Sequence, residues 1–407
     1  MTRAANKQTA AQGQNRDDVR QHNLSLVLRT LHLLGQVSRS HLTSSSGLNR
    51  STISDLVSEL QELGLATESE AQASSGVGRP SLMVSPSEDI VAFSVHPEID
   101  ATTVGVVTLG GKVLHRERIL NGGAPTPKQS AEIAGAAISR IRTELKPNVR
   151  IAGVGVAVPG QVRVADGVIR LAPHLGWIEA PFGPALSQLT GLPVFLDNDA
   201  SLGCIAERDF GAARGLTDVI YLYAGSGGIG GGVIAEGSKL RGSSGYAGEL
   251  GHVRISSSNK KDYSGLEGTL EALVSRDDLL DALKLFGADD EEIDREIQGQ
   301  ISPKVKKVLD AQIEYLGQGL ATYVNIFNPQ AIVLAGFLTT LFNYAPDRVI
   351  ETMRANALAA SHERVVIRNG ELGTNLMMVG SADLAFSALL QRPSDAQLIA
   401  ARQPKGK

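Results

Sequence analysis

Cysteine occurs once in this chain, at Cys204. A single thiol excludes an internal disulfide and suits a reducing compartment such as the cytoplasm. No apolar run reaches the ~18 residues that a membrane-spanning helix needs. The first stretch, Met1 to Arg20, is rich in Gln, Ala and Asn and lacks the apolar core of a secretory signal. It reads as part of a disordered tail over residues 1–22. An excess of positive charge is also missing, since the formal net charge is −4. Whole-molecule attraction to nucleic acid is thereby excluded, and any DNA contact must come from a local patch. What is present is a chain of 407 residues, 42% hydrophobic and 20% charged. That is a soluble, globular composition with length for two or three domains.

The first periodic segment carries Leu24, Val27, Leu28, Leu31 and Leu34 at helical spacing. A short helix follows over Arg39 to Ser46, closed by Gly47. Asn49-Arg50-Ser51-Thr52 then opens a second helix with apolar Ile53, Leu56, Val57, Leu60 and Leu63, stopped by Gly64. Two helices joined through a glycine turn, with the small Thr43 at their crossing, predict a helix-turn-helix. Residues Leu65 to Pro86 suit a two-stranded wing tipped by Gly76-Val77-Gly78-Arg79-Pro80. The unit spans residues 23–86. Its candidate DNA contacts are Asn49, Arg50, Ser51, Thr52 and Ser54 on the second helix, which faces the major groove, and Arg79 in the minor groove. Asp55 and Glu59 on the same helix oppose a tight phosphate contact. A three-helix packing or dimerisation module is the competing reading, and for Arg79 a solvated loop arginine.

From about Ile90 the pattern changes. Strand-like runs at Ile90–Val95, Thr102–Thr108, Val149–Val158, Val194–Leu196, Val219–Tyr223, Ile229–Ala235 and Ala331–Leu334 alternate with helical stretches such as Pro127–Leu145, Ala200–Phe210 and Pro303–Phe327. Interleaved strands and helices, with many of the 44 glycines at the turns, indicate an α/β architecture. The polar stretch 392–407 reads as a fraying, flexible tail.

Three short segments carry chemical interest. The run Gly225 to Gly232 follows a strand and has the look of a phosphate-cradling turn, although glycine runs also make tight hairpins. Pro159-Gly160 ends another strand. Asn198-Asp199 ends a third and opens a helix, where Asp199 is either a general base at a cleft or a helix cap.

Together with Gly155 to Gly160 (GVAVPG), Leu175-Gly176-Trp177, Asp197 to Ala200 (DNDA), Glu207, Phe210-Gly211-Ala212, Gly242 to His252 (GSSGYAGELGH), Leu270-Glu271-Ala272 and Asn328-Pro329 to Gly336, these segments resemble the ROK family of sugar kinases and sugar-responsive repressors. The likeness covers residues 90–390. A fused winged helix is the arrangement of the family's repressor branch, which includes xylose and N-acetylglucosamine repressors. The resemblance implies a two-lobed, actin-like (ribonuclease H-like) sugar-kinase fold. It also implies a sugar-binding set of Asn198, Asp199, Glu249, His252 and Glu271, with Asp199 matching the kinases' base. Amides and carboxylates suit sugar hydroxyls, each of which both donates and accepts. Glu249 as an ion-pair partner and His252 as a satisfied interior histidine are the competing readings.

Two departures qualify the resemblance. The kinases' Asp-x-Gly-x-Thr phosphate turn is replaced by a stretch containing His96-Pro97-Glu98. A carboxylate repels phosphate and a proline removes an amide donor, so phosphoryl transfer is expected to be lost. The adenosine-side motif is altered too, reading Leu334-Ala335-Gly336-Phe337. The family's zinc-binding cysteines are absent, and the matching stretch reads Asp262 to Thr269, so no structural zinc and no cofactor are expected. His174, where relatives often have Asn, bears on ligand specificity. The expectation is a cytoplasmic DNA-binding regulator of carbohydrate genes, dimeric or a dimer of dimers, with operator DNA and a sugar or sugar derivative as partners. The alternatives are a ROK sugar kinase with an added DNA-binding module and a ligand-independent DNA-binding protein with a dead pocket.

Overall fold

The computed structural model describes residues 16–70, 82–225, 227–243, 245–285, 288 and 290–402. At its N-terminal end, helices Arg16–Leu34, Arg39–Ser46 and Arg50–Glu62 pack on a three-stranded antiparallel sheet of Val37–Ser38, Leu82–Pro86 and Ala66–Glu70. Local chemistry sets the boundaries. The Ser38 hydroxyl accepts from His41 N–H at 3.1 Å, and Gly47 closes the short helix in the left-handed region at φ 71°. Asn49 caps the next helix, accepting from Thr52 N–H at 2.9 Å. Its apolar Ile53, Leu56, Val57 and Leu60 are buried, as their spacing requires. Three helices on a small antiparallel sheet are the arrangement expected above of a winged helix-turn-helix, and the unit is called the winged helix below.

The first helix begins earlier than its apolar periodicity suggests. Residues 16–22, assigned above to a disordered tail, are helical. Asp17 and Asp18 in the first turn complement the helix dipole. Arg20 donates to Glu59 at 2.8 Å, tying that turn to the helix Arg50–Glu62.

The larger unit has two lobes. In the first, strands Val113–Leu120, Ala101–Thr108, Ile90–Pro97, Arg150–Val158 and Val194–Asn198 form one sheet in that spatial order; the last three run parallel. The second lobe's sheet orders Ser238–Lys239, Gly228–Ala235, Val219–Gly225, Ala331–Gly336 and Val366–Asn369. Between the sheets lie two helices, Asp199–Phe210 and Leu376–Gln391, here called the cleft helix and the C-terminal helix. The winged helix is not a separate bead. Its Leu24, Leu28, Val57 and Leu60 belong to one apolar core with Leu376, Ala385, Phe386 and Leu389 of the C-terminal helix. Arg150 reinforces the seam, donating to the carbonyls of Leu63 and Gly64 at 2.8 and 2.9 Å.

The tail assigned above to 392–407 is also structured as far as it is described. Ile399–Ala400 pairs antiparallel with Arg150–Ile151, and Ala401 is buried. Arg142 holds the carbonyls of Ala400 and Ala401, each at 2.8 Å. Polar composition concealed this strand because its hold comes from backbone groups and one arginine. Truncation after Asp395 is expected to lower the melting temperature by about 2–6 °C in scanning calorimetry; an unchanged transition would show the strand to be dispensable.

Candidate functional site

On the winged helix, Arg50 and Ser51 are exposed at the N-terminus of Arg50–Glu62 and Thr52 is partly exposed. Asn49 is the cap, and the Ser51 hydroxyl also donates to its Oδ1 at 2.7 Å. Ser54 is engaged elsewhere: it accepts from Arg39 at 3.0 Å, and Arg39 forms a two-pronged pair with Glu68 on the first wing strand. Glu59 is turned away to meet Arg20, which removes one of the two acidic objections raised by the sequence. Arg79 and the wing tip lie outside the described residues.

The second region is the cleft between the lobes. The carboxyl ends of three neighbouring parallel strands meet there, bringing His96, Pro159-Gly160 and Asn198-Asp199 together. Ligands of open α/β sheets bind outside such strand ends. The opposite lobe supplies Glu249, His252 and Glu271, so all five sugar-set residues line one cavity. Counting its open mouth, the cavity offers about 1020 Å³.

Asn198 caps the cleft helix. Its Oδ1 accepts from Ser201 N–H at 2.9 Å, while Nδ2 donates to the Gly160 carbonyl at 3.1 Å and to Asp199 Oδ1 at 3.2 Å. The amide is thereby consumed in holding the strand end, and Asp199 is left as the nearby carboxylate. Asp199 Oδ1 accepts from Ala200 N–H at 2.7 Å. Burial pushes the Asp199 carboxyl up to about 6, with Glu98 and Glu249 adding to the rise and His96 opposing it. Glu249 is exposed on the cleft wall and forms no ion pair among the described residues.

Glu271 sits in the first turn of the short helix Leu270–Leu273. Its Oε2 accepts from Ile229 N–H at 2.8 Å, and its Oε1 is buried without a partner. Burial raises its pKa, against the pull of the Ile229 N–H and His252. Gly228 makes this possible: at φ 99°, a Cβ there would lie 2.2 Å from Glu271 Oε2. The glycine run around it forms a hairpin, Val219–Gly225 paired antiparallel with Gly228–Ala235.

His252 has one nitrogen held and one available to the cleft. Nδ1 lies 2.9 Å from Asp262 Oδ2. Burial disfavours the imidazolium, but the Asp262 hydrogen bond and the charges of Glu271, Asp262 and Glu249 outweigh it, so His252 titrates above its ordinary range. His252, Asp262 and Glu271 bring ligand atoms within 4.8 Å of one another. These residues do not fit a structural zinc. Asp262 Oδ2 also accepts from the Thr269 hydroxyl, and Oδ1 from the N–H groups of Ser264 and Leu266, all at 2.9 Å. The carboxylate is saturated by protons that a metal would displace, and three ligands fall short of a closed site. Asp262 instead orients His252 directly. Its role was concealed in the sequence because its partners are up to ten residues away.

Two further cleft features lie beyond the sequence set. His174 meets Tyr263 edge-on at 4.6 Å between ring centres, touching the lobes together. His96 and Glu98, noted in the sequence only as obstacles to phosphate, line the cavity themselves.

The ROK family model matches residues 99–388. This chain belongs to the ROK family. It is 27% identical over 394 residues to a xylose repressor of Caldicellulosiruptor bescii, covering 92% of this chain and 98% of the repressor. A solved ROK family transcriptional regulator, described as a homologue of the Escherichia coli Mlc protein, superposes with a TM-score of 0.76 at 24% identity, covering 92% of this chain and 98% of its own. A ROK hexokinase from Thermus thermophilus superposes at 0.60 with 30% identity, covering 74% of this ROK protein and 99% of the hexokinase. Among the described residues no helix is long and apolar enough to cross a membrane.

The raised pKa of Asp199 has a stability consequence. Between about pH 4 and 6 the folded state holds a proton that the unfolded chain has released, so stability falls as pH rises through this window. Asp199→Asn cannot ionise and escapes that loss. Its melting temperature relative to the parent is expected to rise by roughly 1–3 °C between pH 5 and pH 8 in calorimetry without ligand. A pH-independent difference would show that Asp199 titrates normally.

Proposed function

We propose that this protein is a DNA-binding transcriptional repressor of carbohydrate uptake or catabolism genes, whose kinase-like cleft binds a sugar effector and does not transfer phosphate. The observation that carries this reading is similarity to a named xylose repressor over 92% of this chain and 98% of that repressor, where the hexokinase match covers only 74% of the chain. Arg50, Ser51 and Thr52 are the DNA-reading residues in this proposal, with Asn49 acting as their cap and Ser54 as a support for the wing. Two copies would read a palindromic operator. Asp199, Glu249, His252 and Glu271 bind sugar hydroxyls, with Asn198 positioning Asp199.

Against a kinase stands the end of strand Ile90–Pro97. Pro97 has no N–H, Glu98 N–H already donates to the Ala101 carbonyl at 2.8 Å, and the Glu98 carboxylate faces the cleft. Phosphoryl transfer depends on positioning and on neutralising phosphate charge, and this strand end supplies neither.

The route from effector to DNA runs along the cleft helix. Its first residue is Asp199 and its last is Phe210, whose ring meets His32 of the winged helix edge-on at 5.1 Å. His32 is buried, with Nε2 2.9 Å from Asp383 and Nδ1 accepting from Gly110 N–H at 3.1 Å. Asp383 belongs to the C-terminal helix. His32 is therefore seated between the C-terminal end of the cleft helix and the middle of the C-terminal helix, and lobe closure would move its socket.

The test is fluorescence anisotropy on a palindromic fragment selected from random DNA by the full-length protein. Arg50→Ala is expected to weaken binding by about tenfold or more; undiminished affinity would remove Arg50 from the interface. His32→Ala, shown to be folded by its melting transition, is expected to lose most of the sugar-dependent change in operator affinity. A full sugar response in that variant would exclude this route, and sugar-dependent ATP turnover by the parent would overturn the repressor reading.

A further inference from the structure

The cleft is markedly acidic. Four carboxylates line it, those of Glu98, Asp199, Glu249 and Glu271, and no lysine or arginine does so among the described residues. The one cleft-facing helix end of any length, that of Asp199–Phe210, is already occupied. Its Ala200 and Ser201 N–H groups donate to the side chains of Asp199 and Asn198. The features that usually bind a phosphate, an arginine fork or a free helix N-terminus, are thus missing or in use.

Two polar atoms in the cavity wall are left over. Among the described residues, His96 Nε2 and Glu271 Oε1 are buried without a hydrogen-bond partner, on side chains more than nine-tenths buried. A buried polar atom left unpaired costs about 1–3 kcal/mol, and native proteins seldom leave one unsatisfied. The two atoms come from opposite lobes. His96 is the last residue but one of strand Ile90–Pro97, and Glu271 is the second of helix Leu270–Leu273. His96 Nδ1 lies 3.9 Å from Glu98 Oε2.

We propose that the effector is a sugar bearing no phosphate group, and that His96 is a specificity-determining residue whose Nε2 pairs with a sugar hydroxyl. This rests on the reading above that the cleft binds a sugar. A hydroxyl matches the wall because it donates to a carboxylate and either donates to or accepts from an imidazole. A phosphate monoester brings a charge of about −1.5 to −2 and no donor in its ionised form. Set beside Asp199 and Glu98, it would meet two carboxylates. Even with the three cleft histidines, His96, His174 and His252, all protonated, the four ionised carboxylates would leave the wall with a net negative charge. The end of strand Ile90–Pro97 thus serves as a wall of the sugar site, and His96 and Glu98 select against the phosphorylated form of the same sugar.

Titration calorimetry and thermal shift on the full-length protein test this. The probes are pentoses, hexoses, amino sugars and N-acetylated sugars, each beside its terminal phosphate, with inorganic phosphate as a charge control. At least one free sugar is expected to bind and raise the melting temperature, with its phosphate about a hundredfold or more weaker. His96→Ala is expected to weaken that sugar by about tenfold or more, and His96→Gln, which keeps a polar group, to recover part of the loss. A sugar phosphate binding as tightly as its parent sugar would overturn the inference and leave the sugar-sensor reading standing. No binding by either form would overturn that reading and the inference with it. Undiminished sugar binding by a folded His96→Ala variant would remove His96 from the site.

Discussion

The two lobes are joined by a stack of backbones packed closer than side chains normally allow. Strand Arg150–Val158 meets the C-terminal helix at Gly155, where a Cβ would lie 1.7 Å from the Ser381 carbonyl oxygen. One residue earlier in that helix, a Cβ on Gly380 would come within 2.7 Å of the Leu202 carbonyl on the cleft helix. On the far side, Cβ atoms on Gly230 and Gly232 would lie 2.6 and 2.5 Å from the Cβ atoms of Ala200 and Cys204. Sheet, helix, helix and sheet are thus spaced by glycine at each interface. Interiors packed at crystal-like density transmit displacement rather than absorb it. Gly155, Gly230, Gly232 and Gly380 are explained by this close approach, and not by turns.

That stack explains why the winged helix and the cleft belong to one mechanical unit. The cleft helix is capped by Asn198 at the cavity, and its C-terminal Phe210 touches His32. The C-terminal helix contributes Asp383 and Phe386 to the same histidine. Glu207, one turn before Phe210, is buried and accepts N–H groups of Ala212, Glu371 and Leu372, fastening the cleft helix to the segment that leads into the C-terminal helix. The winged helix therefore rests on the C-terminal end of the cleft helix and on the middle of the C-terminal helix, and shares their core.

Much of this was legible in the sequence, for identifiable reasons. The helix Arg50–Glu62 was readable because one face is apolar and its cap and stop are chemically distinctive. The strands of both sheets were readable as short apolar runs bounded by turn residues, and the five sugar-set residues do meet in one cavity. The C-terminal helix was not singled out, although it is central. Its sequence LMMVGSADLAFSALL is apolar nearly all round, so periodicity carries no signal. His32 gave no cue either, because its partners Asp383 and Gly110 are hundreds or tens of residues away. The bond from Arg39 to Ser54 gave no cue for a related reason, since the two residues lie on different helices.

In the proposed mechanism the cap of the cleft helix is where binding and signalling meet. Asn198 and Asp199 line the cavity while also accepting the helix's first free N–H groups. Asp199 must therefore divide its oxygens between the helix and any sugar hydroxyl. A ligand shifts a conformational equilibrium only as far as its contacts differ between the two states. A cap interaction worth about 1 kcal/mol is on the scale of such a difference. A helix of 12 residues spans about 18 Å, enough to carry a small displacement at Asp199 to Phe210 without loss along a rigid rod. A pKa of about 6 by itself would suit a general base; in the proposed mechanism it is the tie into the cap, Asp199 Oδ1 accepting from Ala200 N–H, that couples occupancy of the cavity to one end of the helix.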